Sequence, residues 1–169
     1  AKGREIGYLK ARAVFYPDST CFFIQSKSSI NIIVNYEIAY RHLAVYRDGR
    51  LVRSRIVEQA NDKESEVMRI RWHTPEQAYE VVDQEGERQW VRKPIHACTA
   101  SIYFQPPEKA ELRVYALRQE AFLVMVRQEG GQNYLLQLPN GRTNRYSYGQ
   151  GQLKKVYIDH FLADIYIQP

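Results

Sequence analysis

No stretch of this chain is apolar for the roughly 20 residues that a membrane-spanning helix requires, so no transmembrane segment is expected. Cysteine is scarce, with only Cys21 and Cys98. Two such distant residues exclude a disulfide framework and any Cys-x-x-Cys metal or redox site. They leave open whether the two sulfurs pair or whether Cys21, in Thr20-Cys21-Phe22-Phe23-Ile24, is a small buried hydrophobe. Also missing are a Gly-rich phosphate loop, a His-Glu-x-x-His pair and a Gly-x-Ser-x-Gly elbow. No Ser/Gly-rich linker, charge block or internal repeat divides the chain. With 169 residues and 44% apolar content, a single β-barrel-like domain over residues 1–169 is expected.

Charge gives a bounded answer. Twenty-four Lys and Arg against nineteen Asp and Glu leave a net charge of +5, which favours polyanions, headgroups or acidic partners. The excess is dispersed. Arg41, Arg47, Arg50, Arg53 and Arg55 form the densest basic run, and Lys154 with Lys155 a second. The first run straddles an Asp48-Gly49 turn, where charges are simply solvated, so a nucleic-acid partner is not favoured and polyanion binding stands only as an alternative.

What the chain has in abundance is period-2 alternation with turn residues about every ten positions, which points to an all-β sandwich or barrel. Thirteen Tyr suit half-buried pleated positions whose hydroxyls reach water. Asn133 to Ile158 reads as an antiparallel meander, with turns at Pro139-Asn140-Gly141 and between Gly149 and Gly151. Ile30, Ile32, Val34, Tyr36, Ile38, Tyr40, His42, Ala44 and Tyr46 share one parity. Read as a single strand, these residues would span about 55 Å, so the segment must bend, bulge or wrap around a barrel. Pro94 to Phe104 admits a short helix, and Phe161 to Ile167 a closing strand. At the start, Ala1 to Gly7 reads as a turn followed by its second strand. A first strand, and before it an export signal, are expected upstream of residue 1.

The four histidines do not assemble a catalytic site. His42 lies in the apolar stripe, His73 precedes a turn, and His96 would share only a strand face with Cys98. Asp159 and His160 point to opposite faces and cannot readily share a metal with Asp164. Asp62, Glu64 and Glu66 read as solvated residues beside a turn. No enzyme activity, catalytic residue, metal or cofactor is expected. The apolar stripe is either solid core or a pocket wall for an apolar or lipid-like ligand. The candidate ligand-binding residues are Ile32, Val34, Tyr36, Ile38 and Tyr40, with Tyr146 and Tyr148 from the meander. The alternative is a structural or protein-interaction domain with a filled core.

Lys2 to Gly7, Tyr40 to Asn61, Ile95 to Pro107 and the Tyr134 to Ile158 meander together resemble an uncharacterised family of exported bacterial β-sheet domains of unknown function. Leu138 to Leu153, LPNGRTNRYSYGQGQL, is the most specific block. That family more often has an acidic residue before the proline where this chain has Gln105-Pro106. The resemblance implies export to the periplasm or cell envelope and a single strongly curved antiparallel sheet or partly open barrel, loosely similar to half-barrels that carry lipoproteins. It implies no catalytic residues.

Overall fold

A computed structural model describes residues 6–31, 35–61, 63–107, 111–115, 122–127, 131–137, 141–159 and 164–167. Its strands are β1 (Gly7–Phe15), β2 (Thr20–Asn31), β3 (Asn35–Arg47), β4 (Arg50–Ala60), β5 (Lys63–His73), β6 (Ala78–Asp83), β7 (Arg88–Val91), β8 (Glu111–Tyr115), β9 (Phe122–Arg127), β10 (Asn133–Gln137), β11 (Thr143–Gly149), β12 (Gln152–Asp159) and β13 (Asp164–Ile167). The all-β class is borne out, and the only helical piece among the described residues is a 3-10 turn at Ser101–Tyr103. Instead of one sheet there are two antiparallel meanders, β1 to β7 and β8 to β13, each with its strands in sequence order. The division falls where period-2 alternation stops, in the irregular segment around Pro94 to Ser101.

By its contacts the chain forms two compact units. The first comprises residues 1–48 and 52–93, the second residues 49–51 and 94–169.

In the first unit, the long stripe from Ile30 to Tyr46 is not one strand. Asn31 pairs with Asn35 and Ile30 with Tyr36, so the chain reverses direction within the stripe. Partners in this hairpin are even with even and odd with odd. Alternation of the sequence therefore continues across the reversal, and the single strand that implied curvature is divided between two strands of 12 and 13 residues. Even residues of β2 and β3 form a dry face with Phe22, Ile24, His42, Ala44 and Tyr46, all buried. Ser54, Ile56, Met68, Ile70, Tyr79 and Val81 of β4, β5 and β6 are buried with them.

The hairpin turns follow their residues. Asp48 and Gly49 both have positive φ (49° and 69°), which a two-residue turn matching the strand twist demands and which Asp-Gly provides with little strain. Gln150 and Gly151 repeat the pattern at 54° and 76°. Two bulges then re-aim side chains. In β5, Met68 pairs with Ile56 and Glu66 with Val57, leaving Val67 as the extra residue. The shift lets both Val67 and Met68 be buried and moves Glu64 to the opposite face.

The second unit packs Ala97, Ile102, Tyr134, Leu136, Tyr146, Tyr148 and Val156 into a core, with Leu153 and Tyr103 against it. A bulge at Lys154, between the pairs Ser147 with Lys155 and Tyr148 with Leu153, lets Leu153 and Val156 both face that core. The Tyr148 hydroxyl donates to the Ile102 carbonyl. Tyr134 and Tyr148 meet edge to face at 5.6 Å, as do Tyr103 and Tyr146 at 5.9 Å, a favoured ring geometry.

Candidate functional site

The site is best built from the wet face of the first unit. Residues directly opposite in an antiparallel pair point the same way, so the registers define two rows. Arg53 pairs with Arg71, Arg71 with Glu80, and Glu80 with Trp90; Arg55 pairs with Arg69, Arg69 with Val82, and Val82 with Arg88. Five arginines thus occupy a two-by-four grid spanning β4 to β7. All five are exposed, as is Trp90. The rows are about 6.7 Å apart along the strands, and each crosses three strand intervals, roughly 14 Å.

Arginine facing arginine twice in adjacent positions is unfavourable for the sheet itself, because like charges directly opposite destabilise a strand pair. Several other cations of this unit do have carboxylate partners, and Arg55 and Arg69 are themselves engaged. Lys27 pairs with Glu37 at 3.0 Å, Arg47 with Asp18 at 3.2 Å, Arg88 with Glu80 at 3.3 Å, and Arg41 with Glu64. Glu64 is available to Arg41 because of the β5 bulge. Among the described residues, neither Arg53 nor Arg71 has an ion-pair partner.

The grid borders an aromatic and acidic corner. The His73 ring meets Trp90 edge to face at 5.3 Å, and its Nε2 lies 3.4 Å from a Glu80 oxygen while Nδ1 lies 3.8 Å from Glu76. Glu80 thus lies between Arg88, at 3.3 Å, and the His73 ring.

Tyr36, Ile38 and Tyr40 lie on the dry face of β3 and are half-buried, whereas His42, Ala44 and Tyr46 further along are buried. Ile32 and Val34 lie outside the described residues. Tyr146 and Tyr148 belong to the core of the second unit, so the structure does not bring them together with the β3 residues in one unit. Burial raises both phenols, Tyr146 to about 12 and Tyr148 further; hydrogen bonds from Asn144 and Tyr103 partly offset this at Tyr146. A recess of about 70 Å³ lies among Lys27, Glu37, Ala39, Gln59 and Asn61. It is polar and far below the roughly 300 Å³ at which ligand pockets begin.

The histidines have separate roles. His42 is 2% exposed, with Nδ1 at 3.3 Å from the Tyr40 hydroxyl and Nε2 at 2.9 Å from Ser54 Oγ. Burial holds its imidazole down at about 3, so it is neutral near pH 7. His96 Nδ1 donates to the Gly49 carbonyl at 3.1 Å. His160 lies outside the described residues, as does Asp62. Neither Cys21 nor Cys98 is in a disulfide; one lies in each unit, and Cys98 sits in a turn where its carbonyl accepts from Ser101 Oγ at 2.9 Å. Among the described residues, no group of three His, Cys, Asp or Glu side chains is placed to hold a metal, and no helix is long and apolar enough to cross a membrane.

Sequence reasoning found Arg53 and Arg55 but missed Arg69 and Arg71. The signal was present: Arg69-Ile70-Arg71 alternates as Arg53-Ser54-Arg55 does. What it lacked was the pairing register that sets one against the other.

A family model described as a domain of unknown function (DUF6134) matches residues 1–169. Comparisons with curated proteins and with solved structures each find no match.

Proposed function

The chain belongs to the DUF6134 family, a domain of unknown function, and from that premise we propose a non-catalytic binding module that takes an anionic ligand on Arg53, Arg55, Arg69 and Arg71. The observation that supports this is the register: Arg53 opposite Arg71 and Arg55 opposite Arg69. A sheet stabilised only for itself would not set like charges directly opposite, and neither Arg53 nor Arg71 has an ion-pair partner among the described residues. Guanidinium groups bind phosphate, sulfate or carboxylate oxygens in bidentate fashion. The bound anion would offset the repulsion. Export to the cell envelope is part of the same proposal and rests on the resemblance of the sequence blocks.

The test is retention on an immobilised sulfated polysaccharide across a salt gradient. The intact protein should elute later than the Arg53→Gln/Arg71→Gln double variant. Equal elution of the two would overturn the proposal.

A second reading has its own observation. The dry face of β3 passes from buried at His42 to half-buried at Tyr40, Ile38 and Tyr36, which leaves an accessible apolar end for an amphipathic ligand. Native mass spectrometry of protein taken from its own cells should then show a stoichiometric apolar adduct that Ile38→Asp abolishes. A clean unliganded mass would remove this reading.

A further inference from the structure

Resting on the anion-binding reading, we propose that the ligand of this face is a single-stranded nucleic acid, its phosphates held by the arginines and one base stacked on Trp90. Three features of the grid support this. The first is repetition. Arg53 and Arg55, like Arg71 and Arg69 across from them, recur at the strand repeat of about 6.7 Å, which fits a chain of regularly spaced anions better than one isolated group.

The second feature is the ring. Trp90 ends the Arg53–Arg71–Glu80 row and is 51% exposed, an unusual position for the largest apolar side chain. Its edge-to-face contact with His73 fixes the indole without covering it. Single-stranded nucleic acids are bound by this combination of a basic track and an aromatic face, because every base offers a π-surface to stack. Phe23 and Tyr8, both exposed, lie on the same side of the sheet: Phe23 opposite Arg12, and Tyr8 opposite Lys27.

The third is the fate of Glu80, the acid inside the grid. It lies 3.3 Å from Arg88, so its carboxylate is already matched by a cation of the grid.

The test is fluorescence anisotropy with a labelled thymidine oligonucleotide, an abasic oligonucleotide of the same length and charge, and a sulfated polysaccharide. The intact protein should bind the thymidine oligonucleotide about ten-fold or more tighter than the abasic one. Trp90→Ala should erase that preference, and Trp90→Phe should restore most of it. Arg71→Gln should weaken both oligonucleotides alike and reduce the steepness of the salt dependence by about 0.7 for the lost phosphate contact. Equal affinity for the two oligonucleotides, with binding still dependent on Arg53 and Arg71, would overturn the nucleic-acid assignment and leave the anion-binding reading intact. Absence of binding to all three probes would overturn both.

Discussion

Ser54 Oγ stands 2.9 Å from Nε2 of the buried His42, and with the Tyr40 hydroxyl on the other ring nitrogen it gives a neutral imidazole a partner on each side. Either tautomer is satisfied, since both hydroxyls can donate or accept. The group is a polar fixture of an otherwise apolar face. It has the burial of a core residue and none of the solvent access of a general base.

Acid should therefore destabilise the first unit through His42. Its folded value, near 3, lies below the unfolded value of 6.5, so the unfolded chain binds the extra proton first. The contribution is complete above about pH 6.5 and is lost as pH falls toward 3, at up to about 1.4 kcal/mol per pH unit. Urea denaturation of the protein and of His42→Asn between pH 7 and pH 4.5 isolates the effect. The difference between them should shrink with acid, and a pH-independent difference would mean the imidazole is not held neutral by burial. Ser54→Ala, which leaves a buried ring nitrogen without its partner, should cost about 1–3 kcal/mol at neutral pH.

Arg71→Gln should move stability and binding in opposite directions. Removing one cation from the Arg53–Arg71 pair relieves repulsion, so resistance to urea should rise by roughly 0.2–1 kcal/mol at low ionic strength. The gain should fade in high salt, where exposed charges are screened. Retention on a polyanion matrix should fall in the same variant. A loss of stability on substitution would show that Arg71 supports the sheet and is not in conflict with it.

Alkali should act on the second unit through its tyrosines. Desolvation raises Tyr146 to about 12 and Tyr148 higher still, while unfolded phenols ionise near 10. Their stabilisation is intact below pH 10 and is lost as pH rises through the folded values. Phenolate absorbance should thus show a late, cooperative step coincident with unfolding. Tyr148→Phe removes the bond to the Ile102 carbonyl and should cost about 1 kcal/mol, with the late step reduced by one tyrosine.

Thiol labelling should distinguish the cysteines. Cys21 is half-buried and Cys98 only 1% exposed, so a maleimide reagent should modify Cys21 in the native protein and reach Cys98 only after denaturant is added. Mass spectrometry of the digested product reads both sites. Equal native labelling would place Cys98 at the surface.

Local patterns were legible in the sequence where turn chemistry and alternation coincide. Asp48-Gly49 and the turn at Gln150-Gly151 were readable because a hairpin's register follows from its turn, whereas Pro139 and Asn140 lie outside the described residues. The reversal between Asn31 and Asn35 was hidden because it preserves parity, so a reader of alternation sees one strand. The arginine grid was hidden for a related reason. Arg53 and Arg69 are separated by a hairpin containing a bulge, and one extra residue, Val67, decides which face each following side chain takes. Single-sequence periodicity does not fix such a shift. The fate of the tyrosines was equally a matter of packing: Tyr146 and Tyr36 look alike in alternation, yet one is core and the other half-open.

The second unit is assembled from two separate stretches of chain, residues 49–51 and 94–169, joined where the Leu51 amide donates to the Ile95 carbonyl at 2.8 Å and Leu51 is fully buried. No single cut in the chain can therefore release the second unit whole. During synthesis, the three-residue piece emerges more than forty residues ahead of the rest of its unit. It stays unpartnered until Ile95 follows, so completion of the second unit is timed by the chain's own length.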